Sequence, residues 1–169
     1  MVDGTGSALP VKGFTKVLFL LKQFMPLTDI LSKYLRATEE DLKDDKFFEI
    51  STKLMFNVIA VALAQIGNND EIGKFSASLI PDGIIEMAIK DCIYAQIIVK
   101  DHHLITIKER ADSFRSQMQF CDIRTARALF DGKINAIAAI GEGKVEMHGL
   151  INMIDNLNRI LDRVALYLA

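Results

Sequence analysis

The sequence predicts an α+β fold: a five-stranded, mainly antiparallel sheet with helices on one face, preceded by an N-terminal helical region. Two observations carry this. Between residues 14 and 68 apolar residues recur every three or four positions, the period of a helix, whereas after Pro81-Asp82-Gly83 they alternate with period two, the period of a half-buried strand. The alternating runs are also short and separated by turn residues, and apolar helical stretches follow that can cover their dry face.

Residues 1–13 hold Gly4, Gly6, Ser7, Pro10 and Gly13 and are expected to form a flexible tail. Phe14, Val17, Leu18, Leu21, Phe24 and Met25 have helical spacing, and Pro26 is expected to end or kink that helix near Met25. The pattern resumes at Leu27, Ile30, Leu31, Tyr34 and Leu35. Thr38-Glu39-Glu40-Asp41 reads as a helix cap with acidic first-turn residues. A further helix runs from about Phe47 to Ile66, apolar on nearly every face from Leu54 to Leu63 and therefore expected to be buried, with Gly67-Asn68-Asn69 as its stop.

Beyond the turn at 81–83, Ile85, Met87 and Ile89 alternate with Glu86, Ala88 and Lys90. Ile93, Ala95, Ile97 and Val99 form the second run, Ile105 and Ile107 the third, and Ser116, Met118 and Phe120 the fourth. Short turns between them imply an antiparallel meander with one wet and one dry face. Ile123–Phe130 and Ile134–Ile140 read as short helices ended by Asp131-Gly132 and Gly141. Lys144–His148 is the fifth strand, and an amphipathic helix from Leu150 to Leu168 presents Ile151, Ile154, Leu157, Leu161, Val164 and Leu168.

Composition narrows the function. The 169 residues carry a net charge of −2, from 20 Lys+Arg against 22 Asp+Glu, without the basic excess that holds nucleic acid. Mean hydropathy is +0.22. The stretch Leu54–Ile66, interrupted by Asn57 and Gln65, is shorter than the roughly 20 apolar residues of a spanning helix, so no membrane span is expected. Cys92 and Cys121 form no short-spaced pair and suit a reducing compartment, each as a small core residue.

Residues 83–168 resemble the sterol carrier protein family of lipid-binding domains. Ala128-Leu129-Phe130-Asp131-Gly132-Lys133-Ile134-Asn135-Ala136 is similar to that family's helix, Gly-Lys turn and second helix. Gly143-Lys144-Val145-Glu146-Met147-His148-Gly149 is similar to its last strand, and Tyr94–Lys100 followed by Asp101 to its second strand and turn. The resemblance covers about half the chain and rests on structural phrases rather than chemistry. It implies a five-stranded sheet with helices on one face and an apolar tunnel between them for fatty acyl chains, acyl-coenzyme A or sterols. Peroxisomal members end in a targeting tripeptide. This chain ends Tyr167-Leu168-Ala169, and a cytoplasmic location is expected. The helical region 14–68 has no counterpart in the pattern and could cap the tunnel, fill it or make a homodimer.

No reactive constellation stands out. His102 and His103 are adjacent at a turn and point to opposite sides, and His148 lies on a wet face, so surface histidines are the simpler reading than metal ligands. Gly141-Glu142-Gly143-Lys144 leads into a strand and lacks the Ser/Thr of a phosphate loop. Neither cysteine nor any serine sits in a nucleophile signature. Asp155, Arg159, Asp162 and Arg163 read as a solvated face with weak ion pairs, or as a receiver for a ligand carboxylate. The expectation is a non-enzyme with no catalytic residues, no metal and no cofactor.

The reading is therefore a flexible tail (1–13), a helical region (14–70) and a sterol-carrier-like lipid-binding domain (71–169), packed as one compact unit. Its expected function is to carry or sense an apolar lipid lined by Met87, Ile89, Ile97, Val99, Ile107, Met118, Phe120, Met147, Ile151 and Ile154. Methionines on the dry face would adapt to a flexible guest. The alternative is an oligomerisation or interaction domain with a closed core, motivated by the all-round apolar stretch Leu54–Leu63.

Overall fold

A computed structural model describes residues 19–168. The tail and the start of the first expected helix, Phe14 to Leu18, lie outside the described residues. The first helix described is α1 (Met25–Leu35), entered through a π-helical turn at Leu20–Phe24. Pro26 follows the π-helical turn without a break in the helical backbone, so the widened turn stands where its missing N–H interrupts the helical ladder. Thr38 and Asp41 cap each other reciprocally, Asp41 N–H donating to Thr38 Oγ1 at 3.2 Å and Thr38 N–H to Asp41 Oδ2 at 3.1 Å. The box closes only a single 3-10 turn, Asp41–Lys43. The long helix α2 (Asp45–Asn69) is capped instead by Asp44, whose carboxylate accepts from Phe47 N–H at 2.7 Å.

Two boundaries differ from the sequence reading. α2 does not stop at Gly67 but continues to Asn69, with Gly67 facing the sheet. A Cβ there would lie 2.9 Å from Leu104 Cδ2, so the glycine records a close approach rather than a helix end. A helix that the periodicity did not disclose, α3 (Glu71–Ser78), follows at once. Asp70 ends α2 and caps α3 by accepting from Gly73 N–H at 2.9 Å. An Asp followed by Glu is a helix-start signal.

The sheet comprises β1 (Gly83–Ile89), β2 (Ile93–Lys100), β3 (His103–Ile107), β4 (Ser116–Phe120) and β5 (Val145–Gly149) in the order β3-β2-β1-β4-β5. α4 (Ile123–Phe130) and α5 (Ala136–Gly141) separate β4 from β5, and α6 (Ile151–Leu168) closes the described chain. β1-β2-β3 is the expected meander. β4 is not its next member: it lies on the far side of β1, parallel to it, with Met87 opposite Met118. β1 is the central strand, buried on both faces from Ile85 to Ile89, and so takes a neighbour on each side. Residues 108–115, a bent segment without regular structure, make the crossing. Ile107, opposite Gln96, stands within one residue of the level of Ser116, so the connection spans three inter-strand spacings, about 14 Å, well within the reach of eight residues. The crossover covers the face away from the helices. Buried Glu86 accepts from Ala111 N–H and from Gln117 Nε2, both at 2.8 Å, Gln96 Nε2 donates to Arg110 O at 3.0 Å, and the Arg110 guanidinium lies over the Tyr94 ring.

The phase of β3 is also inverted relative to the sequence reading. Asp101 and His102 both adopt positive φ, as a two-residue hairpin turn requires, which pairs Lys100 with His103 and Val99 with Leu104. Leu104 and Thr106 therefore face the helices, and Thr106 Oγ1 donates to Ala60 O of α2 at 2.7 Å. Ile105 and Ile107 point the other way and are exposed.

Candidate functional site

The inner face of the sheet is built by the even spacing of its strands. Ile85, Met87 and Ile89 of β1, Ala95, Ile97 and Val99 of β2, Met118 and Phe120 of β4 and Val145 of β5 share one face and are buried. Register sets Met87 beside Met118 and Met118 beside Met147, a row of three thioethers across three adjacent strands. α2 covers the β2-β3 side with Phe56, Ile59, Ala60 and Leu63, and α6 covers the β1-β4-β5 side with Met153, Ile154, Leu157, Ile160 and Val164. Phe120 meets Phe130 of α4 edge to face, ring centres 5.6 Å apart.

Seven of the ten expected lining residues, Met87, Ile89, Ile97, Val99, Met118, Phe120 and Ile154, are packed in this one core, so the structure brings them together. Met147 is half-buried against it. Ile107 is a correction: it lies on the opposite face of the sheet, for the reason of turn register given above. Ile151 is the second correction, at 81% exposure. α6 is rotated so that its buried stripe centres on Met153, Leu157, Ile160 and Val164, and Ile151 stands about 140° round the helix from it. Met153 and Ile160, which the sequence reading passed over, belong to that stripe and share its three- and four-residue spacing.

Cover over the sheet is thinnest at β5. α5 buries only Ala139 of its six residues, and Ile137 is 80% exposed. Beyond the interior, the outer side of α2 forms an open, mostly apolar groove of about 510 Å³, lined by Leu54, Val58, Val61, Ala62 and Ile66 together with Asn57 and Gln65, and bordered by Lys108 and Tyr167.

Two clusters of charged groups join helices. Buried Arg127 of α4 donates through Nε to both carboxylate oxygens of Asp131, at 2.9 and 3.0 Å, and through Nη1 to Ser51 Oγ of α2 at 2.6 Å. Ser51 in turn donates to Tyr34 O of α1 at 2.6 Å. Asp70 accepts from Arg163 of α6 at 3.0 Å and from the Tyr167 hydroxyl at 3.0 Å. The Arg163 guanidinium, with Gly73 N–H, holds its carboxyl well below the usual carboxylate range. Both cysteines are free, and burial pushes the Cys92 thiol up. Arg159 pairs with Asp155 at the surface. Among the described residues, no group of three His, Cys, Asp or Glu side chains could hold a metal ion. Two buried side-chain oxygens lack a donor, Asn57 Oδ1 on α2 and Asn156 Oδ1 on α6.

No family model matches the chain, and no curated protein matches it. Solved structures do. UbiJ-SCP2, a ubiquinone synthesis protein, aligns at 16% identity over 68% of this chain and 93% of its own, with a TM-score of 0.49. The sterol carrier protein domain 2 of Helicoverpa armigera aligns at 16% identity over 65% of this chain and 87% of its own, TM-score 0.49. The apo form of sterol carrier protein 2 from Yarrowia lipolytica aligns at 18% over 66% and 90%, TM-score 0.46.

Proposed function

We propose that this chain binds an apolar, lipid-like ligand, a fatty acid, acyl-coenzyme A or sterol, between sheet and helices, as a non-catalytic carrier or sensor. The observation that supports this best is the methionine row Met87-Met118-Met147, facing the helix layer that carries Met153. Unbranched thioether side chains change shape at little cost, which suits a wall that is closed when empty and opens for a guest. Val99, Ile97, Ile89, Phe120 and Ile154 complete the lining. Ile107 and Ile151 are excluded from it by their exposure. The site opens at β5, where α5 is held by little buried surface. Each ligand methylene withdrawn from water contributes about 0.8 kcal/mol, so a long acyl chain can offset the repacking of several side chains. The interior is continuous from α2 to α6, and we take the helical region from 45 onward and the sheet as one unit.

Titration of the purified protein with radiolabelled palmitate, palmitoyl-coenzyme A and cholesterol tests the proposal. Saturable uptake of one of them, reduced at least about tenfold in Met118→Trp with the fold retained, is expected. Absence of saturable uptake of all three by the unaltered protein overturns it.

A further inference from the structure

Among the described residues, two apolar faces are left largely uncovered. The first is α1. None of its eleven residues is buried, although Leu27, Ile30 and Leu31, together with Phe24 and Met25 at its entry, make an apolar stripe. These five side chains are 37–56% exposed. α1 is held at its C-terminal end only. There Tyr34 stacks on Phe47 with ring centres 4.5 Å apart, Ser51 Oγ donates to Tyr34 O, and Tyr34 and Leu35 are half-buried. The helix is an arm fixed at one end. The second face is the outer groove of α2. This 25-residue helix has a mean hydropathy of 1.6 over its most apolar 18-residue window, yet only 39% of that window is buried. Its inner stripe serves the sheet, while Leu54, Val58 and Val61, with Asn57 and Gln65 among them and the outer edges of Ala62 and Ile66, form the groove.

We infer that each face is the other's partner in a second copy of the chain: the α1 arm of one protomer lies in the α2 groove of the other, and the reverse, in a two-fold dimer. Three considerations support a second copy over a foreign occupant. The lengths match, since the eleven residues of α1 span about 16 Å and the groove from Leu54 to Ile66 about 18 Å. The shapes match, since an amphipathic helix with anchors at positions 24, 27, 30/31 is the ligand that an apolar groove on a helix accepts. The area is also adequate. Five large side chains about half exposed, of roughly 150–200 Å² each, offer roughly 400 Å² on the arm. Two such arms bring roughly 800 Å², and with the groove surface they cover the total reaches roughly 1,000 Å², the lower bound for a specific interface. An isologous exchange closes on itself and leaves neither face free to propagate.

The test is solution mass by light scattering and sedimentation, on the unaltered chain, Ile30→Asp in the arm, Val61→Asp in the groove, and Phe75→Asp on exposed α3. The expected result is a dimer for the unaltered chain and for Phe75→Asp. Both interface variants should weaken association by about 30-fold or more, as for a central interface residue, with circular dichroism unchanged. Mixing Ile30→Asp with Val61→Asp should restore part of the dimer, because one intact arm then meets one intact groove. A monomeric unaltered chain overturns the inference, whether the monomer is inert or floats with phosphatidylcholine vesicles. So does a dimer that survives Val61→Asp, which would place arm against arm. None of these readouts depends on ligand, so this inference and the lipid-binding reading can fail separately.

Discussion

Met118 stands between Met87 and Met147 and is 3% exposed, so its truncation removes the middle of the thioether row. Met118→Ala is expected to destabilise the protein by about 2–5 kcal/mol through the cavity it leaves, whereas Met118→Leu, nearly equal in volume, should cost less than about 1.5 kcal/mol. Chemical unfolding in urea separates the two. If the row is a deformable wall, Met118→Leu will also narrow the range of acyl lengths bound, a loss that stability alone would not report. At the other end of the molecule, Asp70 caps α3 and pairs with Arg163 and Tyr167. Its carboxyl is held below the ordinary range in the folded state, so the stability it contributes is present above the unfolded carboxylate value, near 3.9, and is lost as pH falls below that toward the folded value. The urea midpoint of the unaltered protein should therefore fall between pH 5 and 3 more steeply than that of Asp70→Asn. The variant should itself be about 1 kcal/mol less stable at pH 7, because an amide still caps α3 but loses the charge-assisted bonds from Arg163. Equal slopes would remove Asp70 from the acid response.

The elements were legible where one period ran long enough to dominate, and illegible where a face had to be assigned across a turn. All five strands and the four longest expected helical stretches within the described residues have observed counterparts, because alternation and three-to-four spacing are local properties of the chain. The phase of β3 failed because Ile105 and Ile107 look like a dry pair. Only counting the two-residue turn at Asp101-His102 shows that Leu104, opposite Val99, must be the inward residue. The place of β4 failed for a non-local reason: its neighbour is chosen by the doubly buried β1, and the anchor of the crossover is one carboxylate, Glu86, read from the sequence as a wet-face residue. Glu86→Ala would leave Ala111 N–H and the Gln117 amide without their acceptor. It is expected to cost about 2–4 kcal/mol in urea unfolding, with Glu86→Gln restoring part of it. At the β5–α6 junction Gly149 has φ of +88°, and a Cβ would come 2.0 Å from Arg115 O. Gly149→Ala should lower stability by roughly 2 kcal/mol or more, measured the same way.

At the scale of the molecule, a sheet open to one side is closed by two helices, α2 and α6, and the resulting interior is lined almost wholly by carbon and sulfur. Six of the residues that the sequence reading grouped share the sheet's inner face because strand alternation alone places them together, and Ile154 of α6 packs into the same core. The sequence reading missed Met153 and Ile160 because the final helix admits two overlapping stripes and the sheet selects one. The same apolar excess that fills the interior overflows onto the far side of α2, the feature that had suggested a closed oligomerisation module. The proposed lipid would occupy the interior and the proposed neighbouring protomer the outer groove. Protein purified from cells should be weighed intact by native mass spectrometry and again after denaturation. The account predicts a releasable adduct of a few hundred daltons with the mass of a lipid, or its appearance on adding fatty acid, acyl-coenzyme A or sterol. A single ligand-free mass under native conditions, unchanged by any added lipid, would contradict it and leave the interior as a closed core.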